Sequence, residues 1–395
     1  MPYPPLVLNK GEERRLRGGH QWVFSNEVDV RKTPLDGFSP GQIVQLVGSK
    51  DQALGVAYVN PRSLICARRL SRDPGATIDQ AFIAARIKKA LEFRERIFDR
   101  PYYRLVYGES DGLPGLVVDR YGDFIVAQIN TAGMAVLKEP VIAAIQEVVN
   151  PQGLLFRNDS PARKLEGLPE EVELAFGEIP EQVTVEENGL AFSVPLHSGQ
   201  KTGWYFDHRD NRARLRRYVR GRRVLDVFSY LGGWGMNAAA GGATELSCVD
   251  LAESAAEAIA GNAERNGLGG KLRVLTGDAF DQLKTLNNAE ERFGVIVLDP
   301  PAFIKRKKDI LPGIEAYHRL NLAAMHLLEP EGILVSSSCS YHLPEEQLRD
   351  ILRRCALQTG RRLQILERGM QAPDHPVHPA IPETQYLKCF YCRVI

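Results

Sequence analysis

Two short strings, separated by about a helix's length of chain, carry the residues best suited to chemistry: VLDPPAF at 297–303 and SSSCSY at 336–341. Each follows a run that reads as a buried strand, 295–298 and 333–335. In an open parallel sheet both strings fall at carboxyl ends of strands, where ligands bind. The first offers a carboxylate, Asp299, set against two prolines. The second offers one thiol, Cys339, among hydroxyls. An acid facing a thiol nucleophile at the mouth of a nucleotide-type fold points to chemistry on a pyrimidine ring. The plainer alternatives are a strand-capping carboxylate and a small buried hydrophobe.

The elements that must position these strings are legible from pattern. The first seventy or so residues look β-rich, with short runs at 21–24, 43–46, 53–59 and 65–69 between turn-rich pieces, so they read as a small barrel-like unit. A helix is expected over 78–100, then strands at 105–107, 116–119 and 124–130 and a helix at 135–149. Further strands are expected at 153–156 and 183–187. The acidic stretch 166–180 reads as a loop, with a domain boundary inside 172–180. Beyond 186, strands at 223–227, 245–250, 272–276, 295–299, 333–337 and 363–367 alternate with helices, including 255–266 and 320–328. That alternation implies α/β architecture with a doubly wound parallel sheet. A last strand, 386–394, follows a Pro-rich loop rather than a helix, which suggests an antiparallel partner.

The string RVLDVFSYLGGWG reads as strand, glycine-bearing turn and helix start, with Asp226 and Phe228 leading into Gly232, Gly233 and Gly235. It is neither the G-x-G-x-x-G fingerprint nor a phosphate-cradling G-x-x-x-x-G-K-[ST] loop. An acid at the first strand end repels pyrophosphate and suits a cationic amino-acid cofactor. The next strand ends in Asp250, placed to accept from ribose hydroxyls, and the third leads to Asp278, near where an adenine edge would lie. S-adenosylmethionine, with its ammonium and sulfonium, fits this acid series. The competing reading is a purely structural turn.

The order Asp226, Asp250, Asp278, Asp299-Pro300-Pro301 resembles the motifs of class I methyltransferases. The strings SGQKTGWYFDHRDNR at 198–212, DPPAF, SCS and the tail APDHPVHPAIPETQYLKC closely resemble the bacterial 23S ribosomal RNA large-subunit methyltransferase I family. The resemblance spans nearly the whole chain. It implies an N-terminal PUA-like RNA-binding domain (1–72), a mixed α+β central domain (73–180) and a Rossmann-like methyltransferase domain (181–395). It also implies 5-methylcytosine formation in 23S ribosomal RNA, naked or in a pre-ribosomal particle, and cofactor contact for Arg209. By residues alone, Arg209 and Asp207 could equally be an ion-paired helix start.

In this reading the Cys339 thiolate adds to carbon 6 of cytosine, which makes carbon 5 nucleophilic. Asp299 orients the ring and protonates it near nitrogen 3, and a base then removes the carbon 5 proton. Some RNA cytosine methyltransferases carry a second cysteine after the proline. This chain has Pro301, so release of the adduct falls to a group that the sequence does not identify. Uracil carbon 5 methylation uses the same thiol logic, and a non-catalytic RNA-binding or ribosome-assembly protein is the rival from another class.

Composition sets the remaining bounds. The chain has 395 residues and net charge +1, enough length for two or three domains. Basic residues cluster at Arg14, Arg15 and Arg17, between Arg209 and Arg223, and at Lys305, Arg306, Lys307 and Lys308, the last run directly following DPPAF. Such a run suits a phosphate backbone. Six scattered cysteines make no disulfide framework, and no apolar stretch suits a signal peptide or a membrane span, so a cytoplasmic protein is expected. His375, His378, Cys389 and Cys392 mimic a zinc pattern, yet positions three apart in a strand face opposite sides; no metal is expected. The Pro-rich loop 375–382 is expected to border the substrate cleft. A second copy of the chain, in a homodimer, is a further partner the sequence allows.

Overall fold

The computed structural model describes residues 3–395. They divide into two compact units, one comprising 3–183, 195–206 and 374–384, the other 184–194, 207–373 and 385–395.

The first unit opens with a five-stranded sheet ordered Pro5–Val7, Gln42–Val47, Ala53–Val59, Ala67–Ser71, Trp22–Val23. Leu6, Val23, Val44 and Leu46 fill its own small core. A second sheet follows, ordered Glu171–Gly177, Gly153–Asn158, Phe124–Ile129, Leu116–Tyr121, Tyr102–Tyr107. It packs against the helices Gln80–Ile97 and Lys138–Val149. The two sheets share a core, because Tyr58 of the first lies in the apolar cluster of the second and its hydroxyl bonds Pro114 O and Thr131 Oγ1, both at 3.0 Å. Glu166 accepts from Asn60, Ser63 and Arg68 at 2.8–3.1 Å and adds a buried polar clasp.

One expectation changes here. The acidic stretch read as a loop contains the edge strand Glu171–Gly177, antiparallel to Gly153–Asn158. Both its faces stay partly exposed, so the alternation that marks a half-buried strand is weak. Residues 374–384, which contain the Pro-rich loop 375–382, belong to the first unit. Asp374 is buried there: its carboxylate accepts from Arg104 N at 2.9 Å and its carbonyl from Arg94 Nη2 at 3.0 Å. Arg94, 1% exposed, also forks onto Asp111 with two 2.8 Å bonds. Removing one partner of such a buried pair strands the other charge. Arg94→Met is therefore expected to lower the unfolding free energy by about 3–5 kcal/mol, read by denaturant titration. A change within experimental scatter would show that the fork contributes nothing net.

The second unit carries a seven-stranded sheet. In chain order its strands are Arg223–Val227, Glu245–Asp250, Leu272–Thr276, Phe293–Leu298, Leu328–Ser338, Leu363–Gly369 and Lys388–Val394. Their spatial order is 3-2-1-4-5-7-6. Strands 1 to 5 pair in parallel, and strand 7 inserts antiparallel between 5 and 6. Fully apolar runs such as FGVIVL on strand 4 suit a sheet covered on both faces. The chain reverses direction of winding between strands 1 and 4, and the carboxyl ends of those two strands form the ligand crevice of such folds. The helix expected at 320–328 runs longer, Ile310–Leu327. The paired strand segments within 184–194 belong to this unit.

Candidate active site

Asp226 is the penultimate residue of the first strand, Asp250 ends the second, and Asp299 follows the fourth directly. The loop after strand 1 holds Phe228 and Tyr230 at φ 69 and 51. Left-handed backbone at bulky residues is strained by roughly 1–3 kcal/mol each and persists where surroundings dictate it. Here Phe228 N and Ser229 N both donate to Val249 O, and Tyr230 N donates to Asp250 Oδ2 at 2.8 Å. Gly232, at φ 82, then turns the chain into the helix Gly233–Ala240. Gly235 lies so close to strand 2 that a Cβ there would meet Cys248 Sγ at 2.8 Å. The missing side chain at Gly235 thus lets the helix pack closely on strands 1 and 2.

Asp226 is fully buried. Its Oδ2 accepts from Gly235 N at 3.0 Å, while its buried Oδ1 accepts no hydrogen bond. Burial first, and then the charges of Asp299 and Asp250, push its carboxyl up to about 7 against the pull of the Gly235 N–H. Asp250 accepts from Tyr230 N and Ala252 N. Asp278 caps the helix Ala279–Asn288 through Oδ1, which accepts from Phe280 N and Asp281 N, and is exposed.

Asp299 is anchored from two sides. His208 Nε2 lies 3.1 Å from Oδ1, and Trp234 Nε1 donates to Oδ2 at 2.9 Å. The Asn211 amide donates to His208 Nδ1 at 3.2 Å, which leaves Nε2 as the N–H aimed at Asp299. Burial raises the Asp299 carboxyl, but His208 and then Trp234 outweigh it, so the group sits below the ordinary aspartate value and is ionised at neutral pH.

The two strings come together because strands 4 and 5 are neighbours, with Leu298 opposite Ser336. The half-buried Cys339 turns its Sγ toward Pro300 O, 4.0 Å away. A hydroxyl cage sets that turn: Tyr317 OH bonds Ser338 Oγ at 2.8 Å and Ser340 Oγ at 3.0 Å, and Ile304 N donates to Ser340 Oγ at 3.2 Å. Cys66, Cys248, Cys355, Cys389 and Cys392 are all buried. Cys389 and Cys392 fall on one strand, with Cys392 in the apolar core alongside Phe390 and Val394. Among the described residues no group of His, Cys, Asp and Glu is arranged to hold a metal.

Arg209 is held as part of an ion-paired helix start. Its Nε lies 3.6 Å from Glu187 Oε2, and it opens the helix Arg209–Leu215. Asp207 is buried and accepts from the Tyr386 hydroxyl. Most of the arginine cluster is likewise used within the unit: Arg212 forks onto Glu187, Arg216 reaches Asn237 and Asn188, and Arg223 bridges Glu245 and Glu291. Spacing alone could not reveal these partners, which lie 21 to 68 residues away. The run Lys305–Lys308 stays exposed. His208 and Trp234 lie in two separate strings, 198–212 and 223–235, and nothing in either shows that they converge on Asp299.

A strand order of 3-2-1-4-5-7-6 with acids at successive strand ends defines an S-adenosylmethionine-dependent methyltransferase. Residues 164–388 match the family described by that name, and residues 6–72 match a PUA-like domain. The chain belongs to the ribosomal RNA large subunit methyltransferase I family. It is 37% identical to the proteins of that name from Shigella boydii and Escherichia coli over 395 residues, covering 99% of each chain. It is equally similar to the one from Cronobacter sakazakii over 399 residues. Among solved structures, the methyltransferase SMU.776 complexed with SAH superposes with TM-score 0.85 at 23% identity, covering 99% of this chain and 100% of that one. A SAM-dependent methyltransferase from Streptococcus mutans gives 0.84 at 22%, with the same coverage.

The residues fit the cofactor. The unpartnered, buried Oδ1 of Asp226 is an acceptor suited to an ammonium, and Asp250 and Asp278 stand where the next two strands end. A cation binds the ionised form of Asp226, and free Asp226 holds its proton until about pH 7. S-adenosylmethionine affinity is therefore expected to rise through pH 6–8, by up to about tenfold per unit below the midpoint. The same raised value means that this carboxyl's contribution to folding stability is present below about pH 4 and lost as pH rises through 7. Asp226→Asn should bind more weakly and lose the pH-dependent rise, both measured by calorimetry. A pH-independent wild-type affinity would contradict this assignment.

Proposed function

We propose that the chain methylates carbon 5 of a cytosine in large-subunit 23S ribosomal RNA through a covalent adduct on Cys339. The observation that carries this reading is the convergence of an ionised Asp299 and the half-buried Cys339 at neighbouring strand ends, beside an S-adenosylmethionine site. When bound, S-adenosylmethionine supplies a methyl group on a sulfonium, which the activated carbon 5 displaces. Cys339 does the activating: its thiolate bonds to carbon 6, and the ring's electron density moves onto carbon 5. After transfer a base takes the carbon 5 proton, the sulfur–carbon bond breaks and the thiolate returns.

Asp299 supports cytosine over uracil. Held as a carboxylate by His208 and Trp234, it accepts from the 4-amino group of cytosine, whereas uracil presents an oxygen acceptor there. The expected protonation of the ring by Asp299 fits this electrostatic setting less well than hydrogen-bond acceptance does. The target base must leave its stack to reach the thiol. The PUA-like domain and the exposed Lys305–Lys308 run provide RNA contacts, and the run adds salt-dependent affinity. Ribosomal RNA, naked or in a pre-ribosomal particle, is met in the cytoplasm. Tritium release from carbon-5-labelled cytosine RNA, with none from uracil RNA, is the expected result; the reverse preference would transfer the activity to uracil.

A further inference from the structure

Strand 7 carries a residue that the reaction as described leaves unused. Lys388 lies opposite Ser338 in the antiparallel pairing of strands 5 and 7, one residue before the thiol. It is half-buried, and its Nζ donates to Ser340 O at 2.6 Å and to Tyr386 O at 2.9 Å. The first of these carbonyls belongs to the residue immediately after Cys339. The lysine thus brackets the turn that presents the thiol, with its position fixed by two backbone acceptors.

We propose that Lys388 is a positioning residue whose ammonium holds Cys339 as a thiolate. The inference rests on the reading of Cys339 as the nucleophile. A free cysteine is mostly protonated at neutral pH, and a fixed cation beside it favours the reactive anion. The titratable groups that the structure describes around the pair have settings of their own. Tyr317 is pushed up to about 12, chiefly by burial, and stays neutral. Glu345, at the start of the helix Glu345–Gln358, is paired with Arg368 at 3.2 Å. The Tyr386 hydroxyl is committed to Asp207, and Asp299 to His208 and Trp234. Burial lowers Lys388 to about 8, while the negative charges of Cys339 and Glu345 act to raise it. That coupling is mutual: what the thiolate does for the ammonium, the ammonium does for the thiolate. The ammonium is present below about pH 8 and lost above it, so thiol and amine titrate as a pair.

The test is the pH profile of Cys339 alkylation by iodoacetamide in the full chain, followed by peptide mass spectrometry. Lys388→Gln can still donate to the two carbonyls but has no charge, Lys388→Met has neither property, and Lys388→Arg keeps the charge. Both uncharged variants should show the half-rise moved up by about one pH unit, with alkylation at pH 7 slowed roughly tenfold. Lys388→Arg should restore most of the rate, and binding of S-adenosylhomocysteine should persist in all three. Profiles for Lys388→Gln that overlay wild type would overturn the inference, as would a loss confined to Lys388→Met, which would leave the lysine a carbonyl clamp. Cys339→Ala separates the two claims: methyl transfer surviving that change defeats the nucleophile reading, whereas an unshifted alkylation profile beside an inactive Cys339→Ala defeats only the role of Lys388.

Discussion

Cys339→Ala is expected to lower methyl transfer by at least about a thousandfold while leaving S-adenosylmethionine binding unchanged, because loss of a covalent nucleophile removes the route rather than slowing it. The structure separates the two readouts. Cys339 follows strand 5, whereas the proposed cofactor acids lie at the ends of strands 1 and 2 or follow strands 3 and 4. The cage of Tyr317, Ser338 and Ser340 does not use the thiol, so the turn should keep its shape with alanine. Single-turnover transfer and calorimetry on one preparation check both halves. Near-normal turnover would remove covalent catalysis from the account.

Asp299→Asn is the second large effect. The amide loses the carboxylate's charge but keeps its size, so Trp234 can still donate to its oxygen. What is lost is the anion that receives a cytosine amino group. Transfer should fall by about a hundredfold to a thousandfold. Preference for cytosine over uracil should weaken by about 1–3 kcal/mol, since an amide can both donate and accept. Competition between the two RNAs measures this directly. His208→Gln should give a smaller loss in the same direction, because it relaxes one of the two anchors. Unaltered base preference in Asp299→Asn would assign discrimination to other groups.

The acids at the strand ends were legible in the sequence because apolar runs mark buried strands and each acid follows one. The DPP and SCS strings were legible for the same reason. The antiparallel last strand was suggested by the Pro-rich loop before it, and the structure has it. What lay beyond reach were contacts made across the fold. His208 reaches Asp299 across 91 positions of chain, and Lys388 bonds a residue 48 positions away. For Arg209 the ion-paired helix start was one of two readings open in the sequence, but its partner Glu187, like the partners of Arg212, Arg216 and Arg223, sits on another element. The stretch 166–180 lacked a strand's alternation because an edge strand need not bury either face. Composition gave no sign that the Pro-rich loop packs with the first unit, since the deciding partners are Arg94 and Arg104.

The central claim, a cytosine carbon 5 adduct on Cys339, is tested most directly by RNA carrying 5-fluorocytosine. Addition and methyl transfer can proceed on that ring, but carbon 5 then holds fluorine where a proton should leave, so the sulfur–carbon bond cannot break by elimination. The account predicts a denaturation-resistant protein–RNA complex that forms only with S-adenosylmethionine, maps to Cys339 and disappears in Cys339→Ala. Failure to trap any complex with RNA that is methylated efficiently in its unfluorinated form, or a trapped complex mapping to another residue, would contradict it.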